Sequence, residues 1–251
     1  MTQQNVAAAL FNTLLQLRET ARQEAQNPVV QFLDFCAKNY TSSHSQLFQD
    51  LFVLFCTKGR RNGFFVEFGA TNGVTLSNSY LLEKEFAWQG ILAEPAKDWH
   101  AALQKNRSAA IDTRCVWRKT GEHLDFVETE YGELSTLVEF KDKDNNKSGR
   151  QAGKTYSVET VSLNDLLAKY NSPGHIDYLS IDTEGSEFDI LSALNFSRYA
   201  IDIMTVEHNY TQDRSKIRSL LASNGFVNVF EAISGFDDWF LHQSFLQKLQ
   251  A

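Results

Sequence analysis

Residues 64–95 read FFVEFGATNGVTLSNSYLLEKEFAWQGILAEP. The run Phe64-Phe65-Val66-Glu67-Phe68 is short, rich in strand formers and mostly apolar, as a buried strand is. Gly69-Ala70-Thr71-Asn72-Gly73 follows as a turn. A helix is predicted over 77–87, and Gly90-Ile91-Leu92-Ala93-Glu94-Pro95 supplies a second strand, followed by a helix over 96–106. Strand, turn, helix, strand, helix is the order of right-handed crossovers, and it predicts a parallel sheet.

The same grammar continues downstream. A strand is predicted over 109–117, a strand pair over 121–140 joined at Tyr131-Gly132, and a strand over 155–162 followed by a helix over 163–170. Residues 176–182 form a buried strand that ends in Asp182, and 201–207 another that ends in Glu207. Helices are predicted over 187–194 and 215–224, the latter stopped by Gly225. The segments 227–230 and 239–241 read as a closing strand pair. Residues 141–154, KDKDNNKSGRQAGK, hold no large apolar residue and read as a solvated loop, with a basic clamp as the functional alternative. Upstream, apolar residues near the helical period predict two helices within 5–38, broken at Asn27-Pro28, and a third over 45–57. Residues 1–58 are thus expected to be a helical extension packing on the core, and 59–251 an α/β domain.

Composition bounds the function. The 24 Lys and Arg against 31 Asp and Glu leave a formal charge of −7. That balance argues against a nucleic-acid binder, which needs a clustered positive surface. No apolar run approaches the roughly 18 residues of a membrane span. The start, MTQQNVAAALFNTLLQLRETARQ, lacks a basic segment ahead of an unbroken apolar core, so it does not read as a signal peptide. Cys36, Cys56 and Cys115 are odd in number and far apart, which predicts buried free thiols. A cytoplasmic protein is the expectation.

The chemistry is expected at strand ends, because ligands of open parallel sheets lie beyond the carboxyl ends of the strands. Gly69 and Gly73 would let backbone approach a ligand, and the helix start beyond them would offer free N–H groups. The spacing is G-x-x-x-G with Glu67 two residues before the first glycine, not the G-x-G-x-x-G of dinucleotide folds. Glu94 ends the second strand, where a carboxylate pairs with a ribose diol. Asp182, Glu184 and Glu187 crowd one short stretch; Glu187 and Asp189 read as first-turn acids that favour a helix dipole. His208 follows Glu207 directly.

On these segments, with SQLFQDLFV at 45–53 and VEHN at 206–209, the chain resembles the FkbM family of S-adenosylmethionine-dependent O-methyltransferases over about residues 45–242. The resemblance implies the class I methyltransferase (Rossmann-like) fold: a seven-stranded, mostly parallel sheet flanked by helices, its last strand inserted antiparallel. It also implies S-adenosylmethionine as cofactor, held by Glu67, Gly69, Thr71, Asn72, Gly73, Glu94, Pro95 and Asp182. Ser45, Gln46 and Asp50 would pack over the cofactor mouth. Ser77-Asn78-Ser79 departs from the family's Ser-Asn-Thr only in its last residue, and Trp88 stands in a Gly-Trp-x-Gly-like segment as packing.

The expected reaction is methyl transfer to a hydroxyl of a sugar in a glycan, glycolipid or secondary metabolite, as in polysaccharide biosynthesis. His208 is the first candidate base, with Glu184 next and Asp182 near the transferred methyl. Asp182 and Glu207 are alternatively expected to hold Mg²⁺. Of Trp117, Trp239 and Tyr210, at most one is expected to stack on a sugar face. The rival enzyme reading, a short-chain oxidoreductase, rests on Tyr80-x-x-x-Lys84, which comes far too soon after Gly73 to meet a nicotinamide. The other rival is a non-catalytic binding partner in a glycan-biosynthesis assembly. A homo-oligomer through the N-terminal helices is compatible with either.

Overall fold

The computed structural model describes residues 3–130, 132–144 and 147–250. The helices α1 (Gln3–Gln23), α2 (Pro28–Asn39) and α3 (Gln49–Cys56) lead into β1 (Phe64–Phe68), α4 (Tyr80–Phe86), β2 (Gln89–Ala93), α5 (Lys97–Asn106) and β3 (Ala110–Asp112). Next come β4 (Cys115–Trp117), β5 (His123–Glu128), β6 (Thr136–Leu137), β7 (Lys154–Ser162), α6 (Leu163–Lys169) and β8 (His175–Ile181). The chain continues through α7 (Glu187–Ser192), β9 (Ala200–Glu207), α8 (Asp213–Ser223), β10 (Phe226–Val229), β11 (Asp237–His242) and α9 (Gln243–Gln250).

Seven strands form one sheet in the order β3-β2-β1-β8-β9-β11-β10. The pairs from β3 to β9 are parallel, and β11 runs antiparallel between β9 and β10. The expected sheet, with its last strand inserted antiparallel, is the observed one. Strand order reverses at β1: β2 lies on one side and β8 on the other. That reversal opens a crevice at the carboxyl ends of β1 and its neighbours. A second sheet, β4-β7-β5-β6, stands over that end.

One face of the large sheet is covered by α6, α7 and α8, through Leu166, Ile190, Leu191, Ile217 and Leu221. The other is covered by α2, α3, α4 and α5, through Phe32, Phe52, Leu54, Leu82 and Leu103. Phe52 stacks on Trp239 of β11 with ring centroids 4.6 Å apart, and Phe32 meets the same indole edge-on. Residues α2 and α3 contribute therefore complete a core layer, whereas α1 leaves Val6, Leu10, Phe11 and Leu14 exposed. No helix among the described residues is long and apolar enough to cross a membrane.

Several expectations are corrected. The third helix begins at Gln49, not 45, because Asp50 accepts from Ser43, the His44 N–H and Ser45, which holds residues 43–48 in a loop. The helix expected from 77 begins at Tyr80, because Ser77, Asn78 and Ser79 are engaged by Glu67. Residues 109–117 form two strands in different sheets, β3 and β4, separated where Asp112 turns back to accept from Arg114. Residues 121–140 do pair, through only two residues of β6, but the join at Tyr131 lies outside the described residues. Helix α9 was not expected. Among its described residues, the 141–154 loop buries the Arg150 side chain against that of Asp144. The three cysteines are free and buried, as expected.

Glu67 lies in the middle of the sheet, and a buried carboxylate must be paired or hydrogen-bonded. Its oxygens accept from Ser77, Ser79 and the Asn78 N–H, and Arg107 Nη1 stands 3.7 Å away. Arg107 is itself inaccessible, donating to Glu83, Ser77, Ser79 and the Gly73 carbonyl. Removing one partner of such a pair strands the other charge, so Arg107→Ala should destabilise the chain by about 3–5 kcal/mol in denaturant unfolding. Arg107→Lys keeps the charge but loses the fork and should recover only part of that.

Candidate active site

The site is a cavity of about 290 Å³ at the point where the strand order reverses. Glu94 enters it from the end of β2, Asp182 and Glu184 from the loop after β8, and Glu207 from the last position of β9. Gly69 and Thr71 supply the floor, Gln46 reaches in from the segment before α3, and Cys115, Val116, Phe126 and Leu137 of the second sheet form an apolar wall. Burial pushes the Cys115 thiol up to about 12, so it is packing rather than a nucleophile.

The turn after β1 is built to present Glu94. Asn72 Oδ1 accepts from the Val74 and Thr75 N–H groups at 2.9 Å each, closing the turn on itself. Thr71 is thereby held at φ +46° with its N–H donating to Glu94 Oε2 at 2.7 Å. Glu94 Oε1 accepts from the Ala96 N–H at 2.8 Å. Each oxygen keeps a further lone pair for a ligand. Desolvation pushes this carboxyl up to about 7 against the pull of the two N–H groups.

Both glycines are also demanded by protein neighbours. Gly69 has φ +74°, and a Cβ there would lie 2.1 Å from the Asp182 carbonyl oxygen. Its bareness lets the ends of β1 and β8 meet. A Cβ on Gly73 would strike Leu103 and Arg107, so that glycine seats the turn on α5. Gly73, Asn72 and Glu67 do not line the cavity; Gly69, Thr71, Glu94, Pro95, Asp182, Glu184 and Glu207 do.

Asp182, Glu184 and Glu207 each offer an oxygen within 4.8 Å of the others. Burial pushes Asp182 up to about 7, with the neighbouring Glu187 and Glu67 charges adding to it and a hydrogen bond to Glu207 opposing it. Desolvation and the Asp182 charge push Glu184 up to about 9, and Glu207 rises well above the carboxylate range for the same two reasons. Asp237, paired in register with Glu207 and donated to by Gln49, is pushed up to about 8, chiefly by burial. Glu207 Oε2 is buried and has no hydrogen-bond partner.

The loop carrying these acids is held by groups the sequence reading treated as bystanders. Glu187 Oε1 accepts from the Thr183 N–H, the Thr183 hydroxyl and the Gly185 N–H. Thr136 donates to the Glu184 carbonyl at 2.9 Å. Between them Glu184 sits at φ +59°, a left-handed conformation that costs a non-glycine residue and clusters at functional sites. Arg150 donates to Glu184 Oε2 at 2.5 Å and to both oxygens of Asp144.

His208 is not brought to the cavity. Glu207 faces inward, so its successor faces away. The imidazole Nδ1 accepts from the Tyr210 N–H at 3.0 Å, and Nε2 stands 3.8 Å from Asp238, which Arg214 and Arg218 already engage. Burial lowers its pKa. Trp117 and Trp239 are buried in packing and unavailable to a sugar, and Tyr210 is two-thirds exposed against the His208 ring. A second grouping, His175, Asp177 and Asp202, lies at the opposite ends of β8 and β9, where Asp177 is taken by Arg60 and the Phe64 N–H.

Comparison with known proteins gives one decisive match. A sequence model described as the methyltransferase FkbM domain fits residues 67–228. No curated protein sequence matches the chain. Among solved structures, precorrin-6y C5,15-methyltransferase from Geobacter metallireducens GS-15 is 11% identical, with 76% of this chain and 85% of that chain covered and a TM-score of 0.39. The ribosomal protein L11 methylase from Lactobacillus delbrueckii subsp. bulgaricus is 12% identical, with 76% of each chain covered and a TM-score of 0.37. These likenesses are distant, and the assignment rests on the family match, which runs from the end of β1 into β10 and includes every acid of the cavity. The chain belongs to the FkbM methyltransferase family.

Proposed function

We propose that this chain methylates a hydroxyl group, that of a sugar in a glycan, glycolipid or secondary metabolite, with S-adenosylmethionine as donor. The observation that carries this reading is the meeting of Glu94, Asp182, Glu184 and Glu207 in one cavity at the reversal of strand order. The residues suit the cofactor. Glu94 is fixed by two backbone N–H groups and retains acceptor capacity for a ribose diol. The buried Glu207 Oε2, without a hydrogen-bond partner from the protein, leaves an acceptor for a donor or cation of the ligand. When bound, S-adenosylmethionine supplies a methyl group on a sulfonium whose sulfur leaves with the bonding pair.

The acceptor hydroxyl must shed a proton as it is methylated. Asp182 lines the cavity and, at about 7, is matched to take that proton near neutrality. Glu184 is tied to Arg150 and shapes the wall beside it. The second reading keeps Mg²⁺ on Asp182 and Glu207, with Glu184 as a third oxygen ligand; the clustering of the three and the orphaned oxygen favour it. Three unpaired cysteines suit a reducing cytoplasm.

Calorimetry should detect S-adenosylmethionine at micromolar affinity, and Glu94→Ala should weaken it by roughly 1–3 kcal/mol. Tight binding of NAD with no response to S-adenosylmethionine would overturn the reading; cofactor binding with no turnover on any acceptor would favour the non-catalytic partner.

The proton acceptor must be ionised to work, so the rate should rise with pH through about 7 and level off above. Asp182→Asn should lower kcat by about 10²–10⁴-fold and abolish that rise. A profile flat across this range with chemistry rate-limiting would remove Asp182 from the role.

Chelation decides between the two uses of the cluster. If Mg²⁺ is held, activity falls in excess chelator and returns on adding Mg²⁺, and Glu207→Gln blunts the return. Unchanged turnover in chelator leaves the acids to act by hydrogen bonding and proton transfer alone.

A further inference from the structure

We infer that Asn209 receives a second hydroxyl of the acceptor, and that His208 is the positioning residue that holds Asn209 in place to do so. This rests on the methyl-transfer reading above and adds to it the side chain that reads the acceptor.

Asn209 lines the cavity, where it and Gln46 are the two amides among the described residues. Its Nδ2 donates to Glu184 Oε2 at 3.2 Å. That oxygen already accepts from Arg150, so an amide N–H, not the amide oxygen, faces it. One Nδ2 hydrogen and the Oδ1 lone pairs are left over, with no partner among the described residues. Glu184 and Asp182 bring oxygens within 4.8 Å of each other, so this amide stands close to the group that takes the acceptor's proton. A free donor beside a free acceptor matches a neutral hydroxyl, which needs both. A polyhydroxylated ring carries such a hydroxyl next to the one being methylated; a lone alcohol does not.

The amide is presented by a strained turn. Asn209 and Tyr210 have φ of +43° and +56°, two left-handed residues in succession. Asparagine visits that region readily, but for a bulky tyrosine it is an outlier that needs support. His208 supplies it. Its Nδ1 accepts from the Tyr210 N–H at 3.0 Å, the same bond that an Asn or Asp side chain makes to the residue two further on. The Thr211 N–H closes the turn on the His208 carbonyl at 2.8 Å, and the His208 and Asn209 N–H groups dock it on the Phe236 carbonyl. The His208 ring is buried and does not line the cavity, so its effect reaches the acceptor through Asn209.

The test pairs hydrogen exchange with turnover. The Tyr210 amide hydrogen should exchange about tenfold faster in His208→Ala and His208→Gln than in the native chain. His208→Asn puts an acceptor where Nδ1 was and should stay within about threefold of native. Labelled S-adenosylmethionine is then offered with the methyl glycosides of glucose, galactose, mannose and rhamnose. For the one methylated fastest, Asn209→Ala and His208→Ala should each lower kcat/KM by about tenfold, and the double variant should be no worse than either. His208→Asn should recover most of the loss, and calorimetry should find S-adenosylhomocysteine affinity unchanged throughout. Multiplying losses in the double variant, a His208→Asn chain as poor as His208→Ala, or weakened S-adenosylhomocysteine binding in Asn209→Ala overturns the proposal. So does a native chain that binds S-adenosylmethionine and methylates none of the four. A native chain that does not bind S-adenosylmethionine sinks the methyl-transfer reading instead, and the exchange rates then still judge His208.

Discussion

A carboxylate in the middle of a parallel sheet has no access to water, and at Glu67 everything nearby is arranged to answer it. Its partners come from two separate places: Ser77, Asn78 and Ser79 ahead of α4, and Arg107 at the end of α5. Meeting that demand fixes the whole segment between β1 and α4. With Arg107 also holding the Gly73 carbonyl, the turn at 69–73 is pinned from both ends. The turn in turn aims the Thr71 N–H at Glu94. Glu67, expected to touch the cofactor, lies outside the cavity lining: a buried and fully partnered charge is what shapes the floor of the cavity.

The cavity itself concentrates charges that repel. Glu184, Glu207 and the nearby Asp237 are driven upward first by burial and then by the Asp182 charge, and Asp182 itself by burial and by Glu187 and Glu67. Such an arrangement does not stabilise a fold; sites of this kind are retained for what they bind, at a cost carried by the rest of the molecule. Here the cost is spread over Glu187, Thr136 and Arg150, which hold a left-handed Glu184 in place before any ligand arrives. Preorganisation of this sort lets binding free energy go to the ligand rather than to ordering a loop.

Much of this was legible in the sequence because it is local. The alternation of apolar runs with turns gave β1, β2, β8 and β9 nearly to the residue, and acids placed at strand ends were found at the cavity because strand ends are where parallel sheets bind. What the sequence hid is nonlocal. Nothing in KDKDNNKSGRQAGK marks Arg150 as different from its exposed neighbours; only the fold brings Glu184 and Asp144 to it. Arg107 is hidden in the same way behind Glu67 and Glu83. His208 misled for the opposite reason: adjacency to Glu207 along the chain puts it on the other side of the strand. The glycine signals were correctly located, but the protein neighbours that also demand both glycines are far along the chain and were not legible.

The insertion of β11 between β9 and β10 sets an order of events on the ribosome. Strands β1 to β9 can pair as they emerge, but β10 has no neighbour until β11 arrives. The aromatic face of α2 and α3, with Phe32 and Phe52, waits for Trp239 through most of synthesis. For that interval the nascent chain displays an apolar surface made first and covered last, the kind of surface that recruits chaperones and invites association between neighbouring chains. Helices α2 and α3, made before the strands of the sheet, are thus among the last of the described elements to be fully covered.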